Sequence, residues 1–185
     1  MAMTAQSALV TAEDYRLLPE TGPRYQLIEG ELYRAPAPRR WHQDILRDLA
    51  FVLQEYVQKN PIGKLYFAPL DVYLTEHNVY QPDLLFVANE RLHLLTEEGM
   101  AGAPNFVVEV LSDTTARLDR NMKRKVYAAT GVEELWLVDP PARTIEVFRL
   151  QADLERPAAI YQAADTFTSP CFPGLRFNAA EIFKG

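Results

Sequence analysis

The sequence predicts an α/β protein of the mixed α+β kind, a mixed β-sheet flanked by helices with an N-terminal β-hairpin. Three patterns predict it. In "RYQLIEGELYRA", two apolar-rich runs flank Glu29-Gly30, as in a hairpin. From Arg40 to Lys59 the apolar residues Ile45, Leu49, Val52, Leu53 and Tyr56 recur at helical spacing. A helical stretch then separates the runs "VVEVL" and "LWLV". That order suits a parallel crossover, whereas hairpins pair antiparallel, so the sheet should be mixed.

The elements follow in order. Thr11 and Asp14 have the spacing of a helix N-cap, and the short helix stops near Pro19. The hairpin comes next, and Pro36 and Pro38 then break the chain before the long helix, which "NPIG" ends. "KLYFA", "DVYLT" and "VYQPDLLFV" read as three strands, the last with Pro82 at a strand end, edge or bulge. A loop leads into "NFVVEVLS". "DTTARLDRNMKRKVYAATG" reads as a helix that Gly131 stops, with Leu118, Met122, Val126 and Ala129 as its core-facing stripe. "EELWLVDP" and "RTIEVFRL" form strands joined by a turn at Asp139 and Pro140; "AAIYQA" reads as another strand, and "NAAEIF" as a closing helical turn.

A chain of 185 residues, 48% of them hydrophobic, suits one domain over residues 1–185 with a real core, residues 1–10 being expected to be flexible. The apolar runs are too short to cross a bilayer, and the N-terminus lacks the basic start of a secretory signal, so a cytoplasmic location is expected. A single cysteine, Cys171, excludes an internal disulfide and a cysteine-based zinc cluster. The net charge of −6 argues against a protein that coats nucleic acid through a broad basic surface. Local basic clusters remain, at Arg34, Arg39 and Arg40 and again from Arg117 to Lys125.

One residue stands out. Glu109 sits inside "NFVVEVLSD", a strand that reads as buried on both faces. A buried unpaired charge costs several kcal/mol or more. Alternation places Val107, Glu109 and Leu111 on one face, with Phe106, Val108 and Val110 on the other. Asp83, after Pro82, is a second acidic residue beside an apolar run. If the two strands are neighbours, Asp83 and Glu109 meet at one edge of the sheet, where they repel unless one is protonated or a cation sits between them. Oxygen ligands favour magnesium or manganese. Asp119, Lys123 and Tyr127 follow at i, i+4 and i+8 along one flank of the next helix. There the Lys123 ammonium can orient water or stabilise charge on phosphate. Taken alone, Glu109 reads equally as a structural ion pair or as a site residue. Lys123 reads nearly as well as an exposed partner of Asp119.

"QPDLLFV", "VVEVLS", "DRNMKRKVY" and "GVEELWLVDP", in that order, resemble the Uma-type family of putative restriction endonucleases, in the PD-(D/E)XK nuclease superfamily. "TAEDYRLLPETGPRYQLIEGEL", "RRWHQDILRDL" and "GKLYFAPLDVYL" extend the resemblance over nearly the whole chain. It implies a restriction-endonuclease-like fold and a magnesium-dependent endonuclease, with manganese as a substitute and DNA as substrate. It implies Asp83 and Glu109 as metal ligands and catalytic groups, with Lys123 as the catalytic lysine. In the superfamily pattern that lysine stands two residues after the acid, where this chain has Leu111. The resemblance also implies Glu31 and His42 as residues lining the site or binding phosphate, and Tyr127, on the flank of Lys123, is a third candidate for lining it. A homodimer is expected, because cutting both strands of a duplex needs two sites. The alternative is a nuclease-fold module that binds DNA or a protein partner without turnover.

Overall fold

The structure, a computed structural model, describes residues 9–19, 21–35, 37–113 and 115–184. Most of the segment expected to be flexible, residues 1–8, lies outside the described residues. Val10, within that segment, is tied down by its N–H, which donates to the Gly30 carbonyl at 3.0 Å.

Helix α1, Ala12–Arg16, opens with the predicted capping box, Thr11 and Asp14 bonding each other's backbone. Strands β1, Arg24–Ile28, and β2, Glu31–Ala35, form the predicted hairpin, with Ile28 opposite Glu31. Its two-residue turn needs positive φ at both central positions, and Glu29 and Gly30 have φ of 50° and 80°. The long helix α2 spans Arg40–Lys59 and buries His42, Ile45, Leu49, Leu53 and Val57 along one stripe.

Strand β3, Gly63–Phe67, follows, then β4, Val72–Thr75, β5, Asn78–Tyr80, and β6, Leu84–Ala88. The run read as one strand, "VYQPDLLFV", is therefore two strands in two different sheets. Pro82 lacks the N–H a ladder needs, so the chain leaves one sheet before it and enters the other after Asp83. Strand β7, Phe106–Val110, lies parallel to β8, Glu134–Asp139, which turns back into β9, Thr144–Arg149, and β10, Ala159–Gln162. Between β7 and β8 run a π-helical turn, Leu118–Lys123, and helix α3, Arg124–Thr130. The left-handed Gly131 ends α3, as predicted.

The main sheet is mixed, in the order β10-β9-β8-β7-β6-β3. The smaller sheet, β2-β1-β5-β4, was not expected as a separate unit. The first core lies between the main sheet and α2, with Phe106, Val108 and Val110 pointing into it. There Trp136 packs edge-on to Phe106 and Phe167, at 4.5 and 4.4 Å between ring centres. The second core covers the opposite face with α3 and the smaller sheet, and receives Val107 and Leu111. The predicted alternation of β7 is thus observed. Among the described residues no helix is long and apolar enough to cross a membrane.

Candidate active site

Strands β6 and β7 are antiparallel neighbours, Leu84 facing Val108. This pairing brings Asp83, just before β6, to the C-terminal end of β7. The Val110 N–H donates to Asp83 Oδ2 at 2.7 Å, and His42 Nε2 lies 3.1 Å from the same oxygen. The backbone of one strand and the first turn of α2 therefore aim this carboxylate. Burial works against the His42 imidazolium, but its hydrogen bond to Asp83 and the Asp83 charge more than offset this, so its pKa is raised.

Glu109 points to the other face of the sheet and is 4% exposed. Tyr127 donates its hydroxyl to Glu109 Oε1 at 2.6 Å, and Lys123 Nζ donates to the same oxygen at 3.1 Å. Lys123 Nζ also lies 2.8 Å from Asp119 Oδ1. Burial pushes the Glu109 carboxyl up to about 8, against the pull of Lys123, while Asp119 and Asp83 push it further. Burial works to lower the pKa of Lys123, but Asp119 and then Glu109 override it, so it remains an ammonium. Burial first, and then the Glu109 charge, raise Tyr127 well above the ordinary phenol range. The Tyr127 hydroxyl is therefore a donor.

The helix after β7 corrects its predicted face. Asp119, Lys123 and Tyr127 are buried, whereas Leu118, Met122 and Val126 are only partly so and Ala129 is exposed. Two physical reasons account for the exchange. The sheet presents a carboxylate here, so the helix face that satisfies it is the polar one. The π-helical turn also carries one residue more per turn, which rotates its side chains by about 100° against those after it.

These groups form the floor of a cleft of about 650 Å³. One wall is the first half of α2, with Trp41, His42, Gln43, Leu46 and Arg47; the other is the hairpin face, with Arg24, Gln26 and Tyr33. Asp83, Glu109, Asp119 and Lys123 all line the cleft. Tyr127 stands behind Glu109 and supports it from the core rather than lining the cleft. Glu31 is not brought to the site. It is exposed at the hairpin turn and accepts a hydrogen bond from Tyr33 at 3.0 Å. Trp41 is half-buried on the cleft wall, while Trp136 is core. Sequence reading passed over Asp119 as a site residue, although its i, i+4 spacing from Lys123 was the available signal.

The donor set can be tested against magnesium. The hydrogen bonds just described hold Asp83 through Oδ2 and Glu109 through Oε1, so each carboxylate keeps a second oxygen for a ligand. Among the described residues no three acidic, histidine or cysteine side chains are gathered closely enough to enclose a metal ion. Magnesium, which is held through one or two carboxylates and keeps several waters, would need no more from the protein than those two oxygens.

The family described as "Putative restriction endonuclease", Uma2, matches residues 12–180. Among solved structures, a protein from Anabaena variabilis described as a putative nuclease is similar over 94% of this chain and 97% of its own, with a TM-score of 0.78 and 22% identity. That likeness shows the fold. Among curated proteins, none matches.

Proposed function

The chain belongs to the Uma2 family, and from that premise we propose that it is a magnesium-dependent endonuclease that hydrolyses DNA phosphodiester bonds in the cleft. One observation carries the reading: Asp83 and Glu109, far apart in sequence, meet on the floor of one cleft with Lys123 between Glu109 and Asp119. Asp83 and Glu109 are the groups that would hold magnesium, or manganese in its place. When bound, such an ion supplies the positive charge that makes water a better nucleophile and polarises the phosphate.

The chain's own residues do the rest. His42 and the Val110 N–H orient Asp83, and Tyr127 orients Glu109. Lys123, held as an ammonium, serves as a donor to charge developing on phosphate oxygen rather than as a base. Arg24, Arg34, Arg39 and Arg47 line the cleft above the acidic floor, where they suit a phosphate backbone. Two such sites in a homodimer would cut two strands in one encounter.

The second reading is a binding module without turnover. Leu111 at the usual lysine position favours it, as does the engagement of Lys123 by two carboxylates. Supercoiled-plasmid nicking with magnesium or manganese separates the two. The endonuclease reading expects cleavage by the wild type and none by identically purified Glu109→Ala. Equal cleavage by both would remove Glu109 from the site, and no cleavage by either would favour the binding module.

A further inference from the structure

The geometry points to single-stranded or locally unpaired DNA as the substrate, with Phe67 as the platform for an unstacked base beside the scissile phosphate. This rests on the nuclease reading and narrows its substrate class.

Phe67 ends β3, an edge strand of the main sheet, and is 43% exposed. It is no stray surface residue. It stands opposite Leu84, and the N–H of the next residue, Ala68, donates to the Asp83 carbonyl at 3.1 Å. The ring is thus one residue from the backbone that carries the site's first carboxylate. Alternation sends Leu65 into the core beneath α2, and it sends Phe67 the same way but past the core's end, where it lines the cleft with Leu46, Arg47 and Ala50. An apolar face left wet in a charged cleft gains by being covered. A nucleobase covers it without asking for sequence.

The exposed face of α2 continues this surface outward. Gln43, Arg47 and Phe51 are exposed and fall in one i, i+4 row, with Phe51 70% exposed. Across the cleft, Arg24 and Arg34 have no ion pair among the described residues. In a chain with a net charge of −6 these cations are a local feature. Aromatic faces interleaved with cations are the composition of a single-strand track. A closed duplex keeps its base faces stacked inside and offers Phe67 nothing to stack on. The competing occupant is a second copy packed through Phe51 and Phe67. Arg47 beside them is held by Asp44 and Asp48, at 3.0 and 2.7 Å, so the oligomeric state read in the test decides between the two occupants.

The test uses the full chain, with calcium in place of magnesium to hold the substrate uncut. The probes are an oligodeoxynucleotide of about 12 residues carrying one 2-aminopurine and the matching blunt duplex. Fluorescence anisotropy should show the single strand bound about tenfold tighter than the duplex, with 2-aminopurine quenched on binding. Phe67→Ala should lose about tenfold for the single strand and lose the quenching, while Phe67→Tyr keeps both. If Phe67→Ala does not fold, Phe67→Leu takes its place, since it keeps apolar volume without a ring. Duplex bound as tightly as the single strand, or affinity unchanged by these substitutions, overturns the proposal. So does a change from dimer to monomer with affinity intact, which assigns Phe67 to self-association. If the binding pattern holds but no cleavage appears with magnesium, the nuclease reading fails and the base platform stands.

Discussion

Two glutamates are buried in adjacent strands of the same sheet, and they keep different company. Glu109 lies near the C-terminal end of β7 and Glu134 begins β8, which runs parallel to it, so the two sit towards opposite ends of the sheet. They also point to opposite faces. Glu134 shares its face with Trp136 and Val138, on the side of the α2 core. Its oxygen Oε1 accepts from Trp136 Nε1 at 2.6 Å and from Ser169 Oγ at 2.5 Å, both neutral donors. Glu109 is held by an ammonium and a phenol, beside a second carboxylate, and lines the large cleft. Glu134, held by neutral donors, ties β8 to the segment that carries Ser169. Glu109, inside a charged cluster on the cleft floor, is a candidate for chemistry. Burial by itself does not distinguish the two.

Removing the cation from the Glu109 cluster has the largest expected effect. Lys123→Ala leaves Glu109 and Asp119 buried without their shared ammonium, and should cost about 3–5 kcal/mol of stability along with cleavage. A urea melt that matched wild type would show that the cluster is not held by its charge. Glu109→Gln should do the opposite: it keeps the volume and an acceptor for Tyr127 and Lys123, so cleavage falls about a hundredfold or more while the melting temperature changes little. A large fall in stability would make Glu109 a tie like Glu134.

Glu134→Ala should cost about 2–4 kcal/mol, because it opens a cavity and strands the Trp136 and Ser169 donors. Cleavage per folded molecule should not change. Ser169→Ala, which removes one neutral donor, should cost about 1 kcal/mol and is the smallest of these effects.

Acidity separates the pair again. Burial raises both carboxyls, Glu109 to about 8 and Glu134 above the ordinary carboxylate range. A raised folded pKa means the native state holds its proton longer than the unfolded chain. Each group's contribution is therefore full below the unfolded pKa and is lost as pH rises through the folded one. Melting temperatures taken from pH 4 to 9 should show that loss, and Glu109→Gln and Glu134→Gln should each flatten part of it. Magnesium at pH 8 should restore stability to wild type and to Glu134→Gln, but not to Glu109→Gln. Equal rescue of all three would place the ion away from Glu109.

Much of this was legible in the sequence. The hairpin turn at Glu29-Gly30, the full extent of α2, the alternation of β7 and the crossover to β8 all follow from local chemistry or from periodicity. The proximity of Asp83 and Glu109 was conditional on two strands being neighbours, and they are. Glu134 and Asp119 were passed over, since a glutamate at a strand start and an aspartate in a helix are ordinary residues until their surroundings are known. The predicted stripe of the helix after β7 assumed that apolar residues face inward.

Local chemistry therefore determined which segments become strands and helices, where they turn, and that one strand carries a carboxylate it cannot leave alone. Dihedral preferences, capping and hydrophobic period act within a few residues, so sequence alone carries them. Tertiary structure decided the rest: that Pro82 divides a run between two sheets, that the helix turns its polar face inward, and that Glu31 stays outside while His42 and Asp119 enter. Those outcomes depend on desolvation and charge pairing between residues far apart in the chain. Such energies exist only once the partners have met.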